Sequence, residues 1–207
     1  MIKVLNSLMP NIAPLKFNDP APDLELQDVN GTPVQLASLW KKQVLILAFT
    51  RHFGCPQCKE MVDQLVAASP DIKAKNLALA IVTQGTTGKA KAFCEQRAPG
   101  LLCLADPERK AYAAYGLERA SLWQIISLHV WRSNLRLKRE RDWNVELPPE
   151  GQDAMQMAGT FVIAPDGRIR LPYYYDDIAD HPSADLLLHG VMGMDWNQTF
   201  DGPVAPK

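Results

Sequence analysis

The sequence predicts a three-layer α/β domain built on a mixed central sheet. Two short apolar runs, Val44 to Phe49 and Leu77 to Val82, have the length and composition of buried strands. Each is followed by apolar residues at helical spacing, as with Met61, Val62, Leu65 and Val66 after the first. Near the end, Phe161 to Ile163, the turn Pro165-Asp166-Gly167 and a run from Ile169 toward Tyr175 read as a hairpin. Strands alternating with helices pair in parallel through crossovers, and a closing hairpin adds antiparallel pairing.

The totals agree with one such domain over residues 1–207. An apolar content of 47% and a charged content of 22% are ordinary for a globular chain and supply a core of normal size. The net charge of -1 gives no electrostatic case for nucleic acid or an anionic membrane. No apolar run approaches the ~20 residues of a membrane span. The N-terminal stretch lacks a continuous apolar h-region, because Asn6, Ser7, Pro10 and Asn11 interrupt it. Four cysteines in 207 residues do not make a secreted disulfide framework. The expected address is the cytoplasm, where a cysteine pair can cycle.

Taken in order, residues 1–18 read as an extension. Leu24-Glu25-Leu26 alternates as a short strand, and Val34-Gln35-Leu36 returns as its partner. Between them Asn30-Gly31 supplies the positive φ that a hairpin turn needs. Ser38 can cap a helical turn from Leu39 to Lys42. After the first buried strand comes a loop, Thr50 to Gly54, then Cys55-Pro56-Gln57-Cys58 and a helix expected to end near Ser69-Pro70, since the residue before a proline leaves the helical region. Lys89 to Arg97 reads as a helix stopped by Pro99-Gly100, and Leu101 to Leu104 as a short strand. Asp106-Pro107-Glu108 is a helix start, with Asp as cap, Pro in the first turn and Glu at the positive dipole end. Gly116 is placed to cap its far end.

From about 119 to 150 the pattern changes to a helical, basic insertion. One amphipathic helix is expected over Ser121 to Leu137, followed by a loop with Pro148-Pro149. The basic run Arg132, Arg136, Lys138, Arg139 and Arg141 reads first as a solvated face. Trp123, Trp131 and Trp143 beside it leave a docking or gating role open. A last helix begins around His181-Pro182-Ser183, and a loose tail is expected from about Trp196.

The chemistry centres on Cys55 and Cys58. A strand, a loop, Cys-x-x-Cys and a helix form the arrangement of a thiol redox site. The thiolate is the reactive form, and a helix N-terminus or a neighbouring cation can lower a thiol pKa to ~3.5–7.5. Arg51 and His52, just upstream, can supply that cation. Cys58 lies one turn further in on the same face, placed to attack a mixed disulfide or a sulfenic acid on Cys55. Cys55 is therefore the expected nucleophile and Cys58 the resolving thiol. Two other readings stand beside this one: zinc held by His52, Cys55 and Cys58, and a structural pair of small buried residues. His52 also reads as an ordinary hydrogen-bonding loop residue. Cys94 and Cys103 are expected to be plain core residues, because neither has a cysteine at short spacing nor a helix start.

These segments together resemble the alkyl hydroperoxide reductase/thiol-specific antioxidant (AhpC/TSA) family. The matching residues are Asp19 to Leu24, Asn30-Gly31, Val44 to Phe49, the cysteine at the helix start, Asp106 to Lys110, Tyr115 to Leu117, and Gly159 to Ile163 with Pro165 to Gly167. The chain is similar in particular to the peroxiredoxin-like branch that carries Arg-His-Phe-Gly-Cys-Pro-x-Cys and ends with Asp-His-Pro, here Arg51 to Cys58 and Asp180 to Pro182. The resemblance implies a thioredoxin-like fold with an N-terminal hairpin extension and a helical insertion. It implies a thiol-dependent antioxidant oxidoreductase with no metal or organic cofactor, reset by a thioredoxin- or glutathione-type reductant. Its substrate would be a small peroxide, a disulfide or, as for some relatives in the branch, a lipid endoperoxide. Ala48 and His52 stand where true peroxiredoxins place the Pro and Thr of Pro-x-x-x-Thr-x-x-Cys, and Ala158 where they place an arginine, so a replacement is sought among Arg97, Arg119 and Arg132. These departures favour thiol–disulfide exchange, which needs only the pair and an accessible face. A redox-sensing module acting through the insertion is the alternative from another class.

Overall fold

The computed structural model describes residues 13–193 and 195–197, so most of the expected extension and the tail beyond 197 lie outside the described residues. Among the described residues seven strands form one mixed sheet. In chain order the elements are β1 (Glu25–Asp28), β2 (Pro33–Gln35), α1 (Leu36–Trp40), β3 (Leu45–Phe49), α2 (Pro56–Ala74), β4 (Ala78–Thr83), α3 (Thr87–Arg97), β5 (Leu102–Ala105), α4 (Lys110–Ala114), α5 (Leu122–Ile126), α6 (Leu128–Arg141), β6 (Gly159–Ile163), β7 (Ile169–Tyr174) and α7 (Ala184–His189). The strand order is β2-β1-β5-β4-β3-β6-β7. Strands β3, β4 and β5 run parallel, and the pairs at either side are antiparallel.

Strand β3 lies inside the sheet, between β4 and β6, and all five of its residues are buried. Successive side chains of a strand point to opposite faces. Ile46 and Ala48 face a core with Met61, Val62 and Leu65 of α2, Phe93 of α3, Val130 of α6 and Leu187 of α7. Leu45, Leu47 and Phe49 face a second core with Leu36 and Trp40 of α1 and Ala111 and Tyr112 of α4. These two cores make the three layers. Phe49 closes the second with edge-on contacts to Tyr112 and Phe161, at centroid distances of 5.0 and 5.8 Å. Each fully buried aliphatic side chain contributes about 1.5–3 kcal/mol relative to exposure. The loop after β3 therefore leaves a strand that is buried on both faces.

Several local expectations are corrected. Helix α2 does not stop at Ser69 but runs through Pro70 to Ala74. Pro70 cannot donate to the Val66 carbonyl; the Ser69 hydroxyl does so instead at 2.8 Å, which replaces the missing bond. Helix α1 begins at Leu36 rather than Leu39, with the Asp23 carboxylate accepting from the Ala37 N–H at 2.8 Å. Asp106 does cap α4, accepting from Lys110 and Ala111 N–H at 3.0 and 2.8 Å, but the helix starts later than Pro107. At the β1–β2 turn Gly31 alone takes a positive φ, and the Asp28 carboxylate holds the Asn30 and Thr32 N–H groups.

The insertion holds two helices, not one. Ser127, with ψ at 157°, ends α5 and caps α6, its hydroxyl accepting from Val130 N–H at 3.2 Å. Trp196, expected in a loose tail, is buried and donates its indole N–H to the Leu187 carbonyl at 2.8 Å. Cys94 and Cys103 are not separate core residues but are joined in a disulfide, with Cα atoms 6.6 Å apart. Cys103 lies nine positions after Cys94, and pairing of β4 with β5 folds α3 back over β5 so that they meet.

Candidate active site

The loop from Thr50 to Gly54 carries the chain from β3 to α2. Cys55 is the N-cap of α2, with extended backbone, and Pro56 occupies the first turn, where its missing N–H costs nothing. The Cys55 N–H donates to the His52 carbonyl at 3.1 Å, which closes the loop. Gly54 is packed against the insertion: a Cβ there would lie 2.7 Å from the Glu146 carbonyl oxygen and 2.8 Å from that of Leu147. The Glu146 N–H donates to the Gly54 carbonyl at 3.1 Å, and Lys59 pairs with Glu146 at 2.8 Å. The end of the insertion thus lies directly over the turn that precedes the nucleophile.

Both cysteines are free and buried, Cys55 at 1% exposure and Cys58 at 5%. Burial alone raises a thiol pKa. Cys55 nevertheless falls to about 6: first through the hydrogen bond from the Cys58 side chain, then, against the cost of burial, through the charge of Arg51. The Arg51 Nη1 donates to the Cys55 sulfur at 3.3 Å. Cys58 moves the other way, pushed well up by burial first and then by sharing its proton with Cys55. Its sulfur also accepts the Arg51 backbone N–H at 3.2 Å. One thiol is held ready to ionise and the other is held protonated.

Arg51 is buried, and among the described residues no carboxylate pairs with it. Its Nε donates to the Gln156 carbonyl at 3.1 Å and its Nη2 to the Ala154 carbonyl. Neutral carbonyls fix the guanidinium without cancelling its charge, so the Cys55 thiolate is its anionic partner. His52 corrects the expectation that it shares the cationic role. It is buried, its pKa is lowered to about 4, first by burial and then by Arg51 and Lys59, and it is neutral at pH 7. Its ring Nδ1 is buried without a protein partner.

The arginine sought elsewhere is Arg51 itself. Arg97 pairs with Asp63 and lies over the Trp143 ring, and Arg119 pairs with Asp153. Arg132 is exposed on α6. Ala48 and Ala158 are core residues. Among the described residues no three His, Cys, Asp or Glu side chains cluster around a point that could hold a metal ion, so His52, Cys55 and Cys58 are not gathered for zinc.

Three glutamines of the site escaped the sequence reading. While protonated, the Cys55 thiol donates to Gln57 Oε1 at 3.4 Å, and Gln57 Nε2 donates to Asn134 Oδ1 of α6 at 2.6 Å. Gln84, after β4, donates to the Arg51 carbonyl at 2.5 Å and accepts the Asp153 N–H at 2.8 Å. Gln156 donates to the Leu117 carbonyl at 2.8 Å, holding the segment that supports Arg51. For Gln57 the signal was available: it lies four residues before Met61 and eight before Leu65, on the buried stripe of its helix. The roles of Gln84 and Gln156 depend on contacts distant in sequence.

Comparison with known proteins places this geometry in context. The model of a family described as the AhpC/TSA family matches residues 17–171. A Bos taurus protein named peroxiredoxin-like 2C is 28% identical over 186 residues, covering 84% of this chain and 80% of that protein. A Salmo salar prostamide/prostaglandin F synthase is 25% identical, over 78% of this chain and 81% of its own. Among solved structures, peroxidoxin BcpB from Mycobacterium tuberculosis superposes with a TM-score of 0.59 at 20% identity, covering 83% of this chain and 90% of that one. A thiol:disulfide interchange protein DsbE from Chlorobium tepidum gives 0.54, also at 20% identity, over 77% and 86%. The fold is thus thioredoxin-like, and family and fold together support a thiol-dependent redox function.

Proposed function

The chain belongs to the AhpC/TSA family, and from that premise we propose that it is a two-cysteine thiol oxidoreductase in which Cys55 attacks and Cys58 resolves. The observation that carries this reading is the Arg51 guanidinium 3.3 Å from the Cys55 sulfur, both buried, with no carboxylate among the described residues to neutralise the arginine. With a peroxide, the Cys55 thiolate takes the terminal oxygen, the O–O bond breaks, and the alkoxide leaves as an alcohol after gaining a proton. The Cys58 thiol then attacks the sulfenic sulfur, water leaves, and a Cys55–Cys58 disulfide forms. With a disulfide, Cys55 displaces one thiolate and Cys58 displaces the other. In both cases two electrons return from an external thiol of the thioredoxin or glutathione type. His52, neutral and with Nδ1 unpartnered, is assigned to hold the departing oxygen or sulfur by a hydrogen bond.

Because both sulfurs are buried, a substrate reaches them only when the cover moves, and the segment at Glu146 and Leu147 over Gly54 is the part assigned to move. Ala48 and His52, in place of the Pro and Thr that serve peroxide in true peroxiredoxins, favour a disulfide over a small peroxide. A relative named for prostaglandin F synthesis makes a lipid endoperoxide the third oxidant to try. The test is stopped-flow oxidation of the reduced protein by hydrogen peroxide, a lipid hydroperoxide or endoperoxide, and a small disulfide, with mass mapping of the product. One oxidant should react well above the rate of free cysteine and leave a Cys55–Cys58 bond. Rates equal to free cysteine with all three would overturn the assignment.

A further inference from the structure

We propose that the exposed face of α5 and α6 docks on an anionic lipid surface. Helix α6 is apolar on two sides. Val130, Ser133 and Leu137 are buried against the body of the protein. On the opposite side, at spacings of three and four, Leu128, Trp131 and Leu135 form a second stripe with exposures of 60%, 60% and 56%. Helix α5 extends the apolar surface with Leu122, Trp123 and Ile126, none of them buried and Trp123 at 78% exposure. Scattered exposed apolar side chains are normal; six within two consecutive helices mark a surface that is covered in use.

Charge identifies what covers it. Between Leu122 and Arg141 stand five Lys or Arg and one acid, Glu140, in a chain whose net charge is -1. The whole-chain value averages over distances at which charges are screened, so it hides this local surplus. Arg136 is turned to Glu60, Lys138 to Asp142 and Arg141 to Asp63. Arg132 and Arg139, by contrast, flank the apolar stripe on the wheel of α6, and among the described residues Arg132 makes no ion pair while Arg139 reaches only its neighbour Glu140, at 3.8 Å. A second copy of the chain would bring two basic rims together. An anionic bilayer meets both features: indole rings settle at the headgroup level, aliphatic residues enter the acyl boundary, and guanidinium groups on long stems reach phosphates. No helix among the described residues is long and apolar enough to cross a membrane.

The docking face is tied to the thiols, because Asn134 on α6 accepts from Gln57, and Gln57 accepts from Cys55. That this presents oxidised lipid to Cys55 rests on the function proposed above; the docking itself does not. It is tested by co-sedimentation of the full-length protein with vesicles of phosphatidylcholine alone and of phosphatidylcholine mixed with phosphatidylglycerol. The protein should partition onto the mixed vesicles, less onto the neutral ones, and less as salt rises. Trp123→Ala with Trp131→Ala, and separately Arg132→Glu with Arg139→Glu, should each lower partitioning by about tenfold or more. Cys55→Ser should bind as the wild type does, which separates failure of docking from failure of the chemistry. Should the tryptophan pair fold poorly, the arginine pair decides alone, since its side chains are at the surface. No partitioning onto the mixed vesicles, equal partitioning by the arginine pair, or a lipid-free dimer that the same changes dissolve would overturn the proposal.

Discussion

Two cysteine pairs are buried in this molecule, and they have opposite characters. Cys94 and Cys103 join α3 to β5 and belong to the core that also holds Ile81, Phe93 and Ala98. Cys55 and Cys58 are equally withdrawn from solvent, yet they remain free thiols among polar groups: an arginine, a neutral histidine and a glutamine. Burial is common to both, so burial does not make a cysteine reactive. The free pair differs by its helix start and by a cation that, among the described residues, no carboxylate pairs with. The bonded pair has neither and serves as a tie between two elements.

The largest effect expected of any single change separates the pairs outright. Cys55→Ser should reduce turnover with every oxidant to the level of buffer, while Cys94→Ala with Cys103→Ala should leave turnover within about twofold, a contrast read in one assay of both proteins. Turnover that survives loss of Cys55 would erase the distinction. Next in size, Cys58→Ser should permit one round of oxidation and then stop, with a sulfenic acid or mixed disulfide on Cys55 visible by mass spectrometry. Full cycling by that variant would remove Cys58 from its resolving role.

Arg51→Gln tests the cation. The pH midpoint of thiolate formation at Cys55, about 6 in the wild type and read by ultraviolet absorbance or alkylation rate, should move up by about one pH unit or more. His52, already neutral above about pH 4, should contribute nothing to that titration between pH 5 and 8. An unmoved midpoint in the arginine variant would mean that the helix start and Cys58 act without it. For the bonded pair the expected effect is on stability: closing a loop of nine residues contributes about 2.5 kcal/mol, so denaturant titration of the Cys94→Ala, Cys103→Ala protein should show a loss near that size.

The last effect is a slope. The Cys55 pKa is depressed in the folded protein, so its thiolate adds stability that is fully present above the unfolded value near 8.5 and is lost as pH falls through about 6. The raised Cys58 acts in the opposite sense, and only above that unfolded value. Between pH 6 and 8.5 the reduced wild type should therefore gain on Cys55→Ser by up to about 1.4 kcal/mol per pH unit in chemical denaturation. A flat difference would place the thiolate stabilisation elsewhere.

By itself the sequence determined the layered α/β order, the strand that precedes the candidate site, and the place of Cys55 and Cys58 at a helix start. Each of these rests on local pattern: apolar runs, helical spacing, and a cysteine at a helix start. Only the tertiary structure decided which cation serves Cys55. Arg51 and His52 are neighbours in sequence, but burial and nearby positive charge neutralise the histidine, while carbonyls from Ala154 and Gln156, more than a hundred residues away, aim the arginine. Tertiary structure likewise joined Cys94 to Cys103 and carried α2 through Pro70 with a hydroxyl from Ser69. It also brought Glu146 and Leu147 down onto Gly54. The reason is common to all of these: a strand or helix start follows from neighbours along the chain, whereas a charge, a thiol bond or a missing donor is settled by whichever groups the packed sheet brings within a few ångströms.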